Sequence, residues 1–121
     1  MAMNNPYPPI DSLLPLTPAV FHILLVLSEG DQHGYGIMRE IEQLTDGQMK
    51  IGPGTLYRSI KQMLDLRLIA ASDQRPDPEL DDQRRHYYQL TDFGRRLMQA
   101  ESTRLLRLVH LAQQRGLVED Y

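Results

Sequence analysis

The sequence predicts a mainly α fold that carries one small β-hairpin, an α+β arrangement in a single domain. Two observations carry that reading. Three segments with apolar residues at helical spacing come before the β-type content, and a long helical segment follows it. Two short runs rich in aromatic and branched residues, Leu68–Ser72 and His86–Leu90, are separated by a loop containing Pro76 and Pro78. A third observation limits the size of the fold: 121 residues and 14.0 kDa supply one core and leave little stability to spare, which favours oligomerisation.

Residues 1–15, rich in Asn, Pro and Tyr, read as an irregular N-terminal arm kept extended by Pro6, Pro8 and Pro9. The main domain spans 16–91. Thr17 and Pro18 open its first helix as N-cap and first-turn proline. The run that follows, AVFHILLVLSEG, is apolar on almost every side, so this helix is expected at the buried centre, ending at Gly30. After Gly34-Tyr35-Gly36, Ile37, Ile41 and Leu44 mark a second helix, and Asp46-Gly47 marks a turn. Met49-Lys50-Ile51 reads as a very short strand. Gly52-Pro53-Gly54-Thr55 then restarts the chain as a third helix, expected over 55–69. Its Leu56, Ile60, Met63 and Leu64 form an apolar stripe, with Arg58, Lys61, Gln62 and Asp65 opposite. The two strands follow, and Thr91-Asp92 cap a last helix over 93–115. Residues 92–116 form the C-terminal helical segment and 117–121 a tail. Helix, helix, helix, hairpin, helix is the order of a winged helix-turn-helix.

The formal charge is −3 and the isoelectric point about 5.7, which argues against a protein that coats nucleic acid non-specifically. The distribution is uneven. Before Lys50 the only basic residue is Arg39, whereas Lys50 to Lys61 contains Lys50, Arg58 and Lys61 and no acid. The absence of Cys excludes a disulfide framework, thiolate metal sites and cysteine nucleophiles. His22, His33, His86 and His110 lack metal-ligand spacing, and no phosphate loop or nucleophile elbow is present, so no enzyme, cofactor or metal is expected. No apolar run approaches a membrane span, and the N-terminus lacks the pattern of a secretion signal; a cytoplasmic location is the expectation.

The third helix carries the chemistry. A helix entering a major groove needs small residues at its start and long donors on its outer face. Gly54 and Thr55 meet the first need; Arg58, Lys61 and Gln62 meet the second, with Arg58 or Gln62 as base readers and Lys50, Arg58, Lys61 and Arg85 neutralising phosphates. Tyr57 either packs inward or offers its hydroxyl to a phosphate. Arg84 and Arg85, at the base of the hairpin, suit phosphates or a narrow minor groove. The acidic Asp77, Glu79, Asp81 and Asp82 are expected to turn away from DNA or to pair with Arg75 and Arg84. On the last helix, Leu97, Met98, Leu105, Leu108, Val109 and Ala112 cover a wider arc than one core needs, and are expected at a dimer interface. A small effector seated near Met98, Leu105 and Val109 is compatible with this. The competing reading is a winged-helix module that binds another protein and no DNA.

Three segments, LLVLSEGDQHGYGIMREIEQLTDG, IGPGTLYRSIKQMLDLRLI and RRHYYQLTDFGRRLMQAE, resemble the PadR family of bacterial transcriptional regulators, in its short form with a single C-terminal helix. The resemblance covers about residues 16–103. It implies a homodimer joined through the C-terminal helices, reading a palindromic operator and repressing its own and adjacent genes until a small effector intervenes. By motif position it places Thr55, Tyr57, Arg58 and Lys61 on the recognition helix and Arg84, Arg85 and His86 on the wing stem, where His86 replaces the Lys of many relatives. The long acidic wing insert departs from the family pattern, and without Trp an aromatic drug sandwich has no counterpart here.

Overall fold

Thr17 begins the first helix, α1 (Pro18–Leu27), where its side-chain oxygen accepts the Val20 N–H at 3.2 Å. Val20, Ile23, Leu24, Val26 and Leu27 of α1 are buried, so this short helix forms the centre of the core. In this computed structural model the described residues are 7–72 and 86–119. After α1 come β1 (Gln32–His33), α2 (Gly34–Leu44), α3 (Pro53–Asp65), β2 (Ile69–Ser72), β3 (Tyr87–Leu90) and α4 (Asp92–Gln114). The fold is therefore mainly α with a small sheet, as the sequence predicts. Residues 73–85, including the acidic run and Arg84 and Arg85, lie outside the described residues.

The sheet has three antiparallel strands in the order β1-β3-β2, one more than the expected hairpin. Ala71 pairs with Tyr88 across the hairpin, and on the other edge of β3 Gln32 pairs with Tyr88 and His33 with Tyr87. Met49–Ile51 is not a strand. The Met49 N–H donates to the Thr45 hydroxyl oxygen at 3.0 Å and Ile51 is buried in the core, which holds this segment as a connector between α2 and α3.

The third helix is shorter than expected. It stops at Asp65 because Arg67 adopts a left-handed φ of 63° and the Leu68 N–H turns back to the Met63 carbonyl at 2.9 Å, the closing bond of a Schellman turn. Leu64 is 37% exposed and lies outside the apolar stripe expected for it, which Leu56, Ile60 and Met63 form. From Leu68 the chain enters β2. The start of α4 lies against this turn. The Thr91 hydroxyl is 2.9 Å from the Leu68 carbonyl, and its oxygen accepts the Gly94 N–H at 3.0 Å. A Cβ on Gly94 would come within 2.1 Å of the Leu68 carbonyl oxygen, so only glycine lets the two backbones approach this closely.

The N-terminal arm departs most from expectation. From Tyr7 onward it is a docked strap with a 3-10 turn at Ile10–Leu13, and Ile10, Leu13, Leu14 and Leu16 pack on the core. The Tyr7 ring lies 4.5 Å from that of Phe93, with the Arg67 and Arg96 guanidinium groups 5.9 and 5.8 Å from the two rings. The strap ends on a buried carboxylate. Glu101 of α4 is 1% exposed, accepts the Leu16 N–H at 2.8 Å and pairs with Arg104. Leu97 and Met98 are buried in this same core, which corrects their expected place at a dimer interface: the first half of α4 uses its apolar face within the protomer.

The hydrogen bond from Arg104 holds the Glu101 carboxyl below its ordinary pKa; burial opposes this, and the Leu16 N–H and the Arg104 charge reinforce it. A depressed folded-state pKa stabilises the fold above the ordinary carboxylate range, and that contribution is lost as pH falls through the folded value. Glu101→Gln should lower stability at neutral pH by about 1–3 kcal/mol in urea titrations. The gap from wild type should narrow as the pH drops below about 4.3. Gly94→Ala should cost about 1–3 kcal/mol by the same measurement, because the α4 backbone must back away from Leu68.

Candidate nucleic-acid interface

The outward face of α3 exists because its other face is spent on the core. Leu56, Ser59, Ile60 and Met63 are buried, which turns Thr55, Arg58, Lys61 and Gln62 to the surface together. Among the described residues neither Arg58 nor Lys61 has a carboxylate within ion-pair distance, so both cationic heads remain available to an anion. Gln62 sits at the margin, beside Ser12 and Leu13 of the strap. Lys50, in the connector before α3, lies 3.7 Å from Glu42 in a largely exposed pair, a contact weak enough to exchange for a phosphate.

Gly52 caps α3 without a side-chain hydrogen bond, and Pro53 occupies the first turn. A Cβ on Gly52 or Gly54 would meet nothing within 4 Å. Nothing inside the protomer requires these glycines to be small; the free space lies outside, where a phosphate backbone can reach the amide dipoles of the first turn.

Tyr57 is on the flank of α3, 51% exposed, with its hydroxyl turned toward α2. A Cβ on Gly34 would stand 2.7 Å from that hydroxyl, so glycine at the start of α2 leaves room for the Tyr57 ring. The neighbouring Tyr88 phenol has a raised pKa, first from burial and then from Tyr57. His33 caps α2 by accepting the Gly36 N–H at 3.0 Å, and its ring meets Tyr87 edge-on at 5.2 Å. Aromatic packing thus fixes the junction between the sheet and the two helices of the helix-turn-helix. His86 is exposed at the entrance to β3, on the sheet side of this junction.

Two residues were not among the expected site residues. Tyr35, 56% exposed, stands at the start of α2, and the Arg39 guanidinium lies 5.9 Å from its ring centre. The available signal was an aromatic between two glycines at a helix start, with Arg39, the only Lys or Arg before Lys50, one turn later. On α4, Leu105, Leu108 and Val109 are exposed, and Ala112 is partly exposed. Among the described residues, no group of three or more His, Asp or Glu is placed to hold a metal ion, and no helix is long and apolar enough to cross a membrane.

This combination of three helices, a small sheet and a trailing helix defines a winged-helix fold, and solved structures share it. A transcriptional regulator from Clostridium thermocellum matches with a TM-score of 0.67 at 24% identity, covering 79% of this chain and 87% of that one. A PadR family transcription regulator from Clostridium difficile matches with a TM-score of 0.67 at 22% identity, covering 81% and 97%. RosR of H. salinarum matches with a TM-score of 0.59 at 25% identity, covering 90% and 84%. No curated relative matches the sequence. The PadR-like family model of transcriptional regulators matches residues 23–100, and the chain belongs to that family. It is a family of transcription regulators, not of enzymes.

Because the space beside Gly54 is empty, Gly54→Ala should fold normally and gain about 0.5 kcal/mol in thermal denaturation, from the lower backbone entropy of the unfolded chain.

Proposed function

We propose that the protein is a homodimeric, sequence-specific DNA-binding repressor that inserts α3 into the major groove. The observation that carries this reading is the Arg58–Lys61 face of α3, unpaired among the described residues and preceded by two glycines whose open side faces outward. An α-helix of this kind fits a groove about 12 Å wide. Arg58, near the centre of the face, is the base reader, with Gln62 beside it. Lys61, Lys50, Thr55 and Tyr57 hold phosphates, and Tyr35 and Arg39 add a contact from the start of α2 where that helix passes the backbone. Arg84, Arg85 and His86 of the wing stem complete the set by family resemblance.

Dimerisation is supported by the second half of α4. Met98 is buried, but Leu105, Val109 and Ala112 continue its line at helical spacing along a part of the helix that the protomer leaves uncovered. Pairing two such helices would present two α3 segments on one side of a duplex, about 34–36 Å apart. Repression of its own and adjacent genes, relieved by a small effector, follows from the family resemblance.

Selection of bound duplexes from a random pool tests the reading directly. It should return palindromes with half-sites about 10 base pairs apart; recovery of unrelated sequences would overturn it. On the selected duplex, Arg58→Ala should cost about 1–3 kcal/mol and relax the preference at one base position. Lys61→Ala should weaken all sequences alike and reduce the salt slope by about one unit. Gly54→Ala should weaken binding despite its intact fold, and unchanged affinity in all three variants would remove α3 from the interface.

A further inference from the structure

The strap before α1 is held to the fold by few bonds, and it lies where α3 ends. Its 3-10 turn is closed on itself: the Ser12 N–H donates to the Pro9 carbonyl at 3.0 Å, and the Ser12 hydroxyl to the same oxygen at 2.6 Å. Among the described residues, one hydrogen bond ties residues 8–16 to the rest of the protomer, from the Leu16 N–H to the Glu101 carboxylate at 2.8 Å. The remaining grip is apolar, with Ile10, Leu13, Leu14 and Leu16 partly buried against the core. That grip is incomplete. A cleft of about 230 Å³ remains there, lined by Leu13 and Leu16 of the strap, Gln62, Met63 and Leu66 at the end of α3, and Leu97 of α4.

This position gives the strap leverage over the outer face of α3. Gln62 belongs to both surfaces: it lines the cleft, and it is exposed beside Arg58 and Lys61. Arg58 precedes Leu66 by eight residues, about 12 Å along the helix. A tilt of about 5° pivoting at Leu66 displaces the Arg58 backbone by about 1 Å. That is twice the roughly 0.5 Å within which a directional contact is kept. At its other end the strap is fastened to the start of α4. Tyr7 stacks on Phe93, and the guanidinium of Arg67, in the turn that follows α3, lies 5.9 Å from the Tyr7 ring. One short segment therefore spans the end of α3, the turn after it and the start of α4.

We propose that the strap is a positioning element for DNA reading: Leu13 and Tyr7 hold the end of α3 at the angle from which Arg58 reaches its base. Both act through α3 rather than by contact with DNA. The proposal rests on the α3 reading above and adds to it the residues that aim the helix. Charge attraction to phosphates is weakly directional and survives a small tilt, whereas a base edge requires its donors in place. The strap therefore governs discrimination between sequences more than attraction to DNA.

The test is binding of the full chain to two duplexes, the selected one and a shuffled one of equal length, by fluorescence anisotropy across a salt series. Leu13→Ala should weaken binding to the selected duplex about fivefold or more, the low end of losing one base contact. Its affinity for the shuffled duplex and its salt slope should match wild type, because Arg58 and Lys61 keep their charge. Tyr7→Ala should act in the same direction, and Leu13→Met, which refills the site, should restore discrimination. In a double-mutant cycle, Leu13→Ala should cost little more in the Arg58→Ala background. Equal losses on both duplexes would mark a general loosening of the fold and overturn the proposal, as would full additivity with Arg58→Ala. Wild-type discrimination in both strap variants would overturn it while leaving the α3 reading intact. A wild type that prefers no duplex would overturn that reading and this inference together.

Discussion

The meeting of α4 with the turn after α3, at the Leu68 carbonyl, is the constraint on which the other features depend. One carbonyl group receives the Thr91 N–H at 3.1 Å, lies beside the Thr91 hydroxyl, and leaves no room for a side chain on Gly94. That contact sets how α3 is oriented relative to the helix on which the proposed dimer is built. In the proposed dimer the spacing of the two α3 segments would then depend on a junction buried in each protomer, and loosening it would blur that spacing without touching the outer face of α3. The Tyr7–Phe93 stack and the Glu101 carboxylate brace the same junction from the strap side.

Charge is divided among surfaces rather than summed. A protein with a net charge of −3 still presents an Arg58–Lys61 face on α3 that has no carboxylate partner among the described residues. Low overall charge limits non-specific attraction to nucleic acid and leaves discrimination to the few groups that reach it. The same division applies to α4. Its first half contains one buried carboxylate, Glu101, satisfied by a backbone N–H and an arginine, and its uncovered half beyond Glu101 contains no acid at all.

Much of the helical frame was legible along the chain because it rests on local chemistry. Thr17 and Thr91 cap the helices they were expected to cap, and the stripe of Leu56, Ile60 and Met63 reports which face of α3 is buried. The two strands of the hairpin fall within a residue of their expected bounds. What was not legible depends on partners distant in sequence. Gln32 and His33 are two polar residues without alternation, and become a strand only because Tyr87 and Tyr88 present an open edge. Glu101 looks like any surface acid on a helix until Leu16, 85 positions earlier, brings its amide to it. Arg67 ends α3 in a left-handed conformation usually left to glycine, so no local signal marked the stop.

By itself the sequence determined the order and type of the main elements and the polarity of α3, because capping, spacing and charge act within a few residues of one another. Tertiary structure alone decided that the N-terminal arm from Tyr7 onward is a strap, that Leu97 and Met98 belong to the protomer's own core, and that α4 is largely uncovered beyond Glu101. Periodicity reports that a helix has an apolar face. Which neighbour covers that face is settled by where the other elements end, and those ends are set by contacts between residues far apart in the chain.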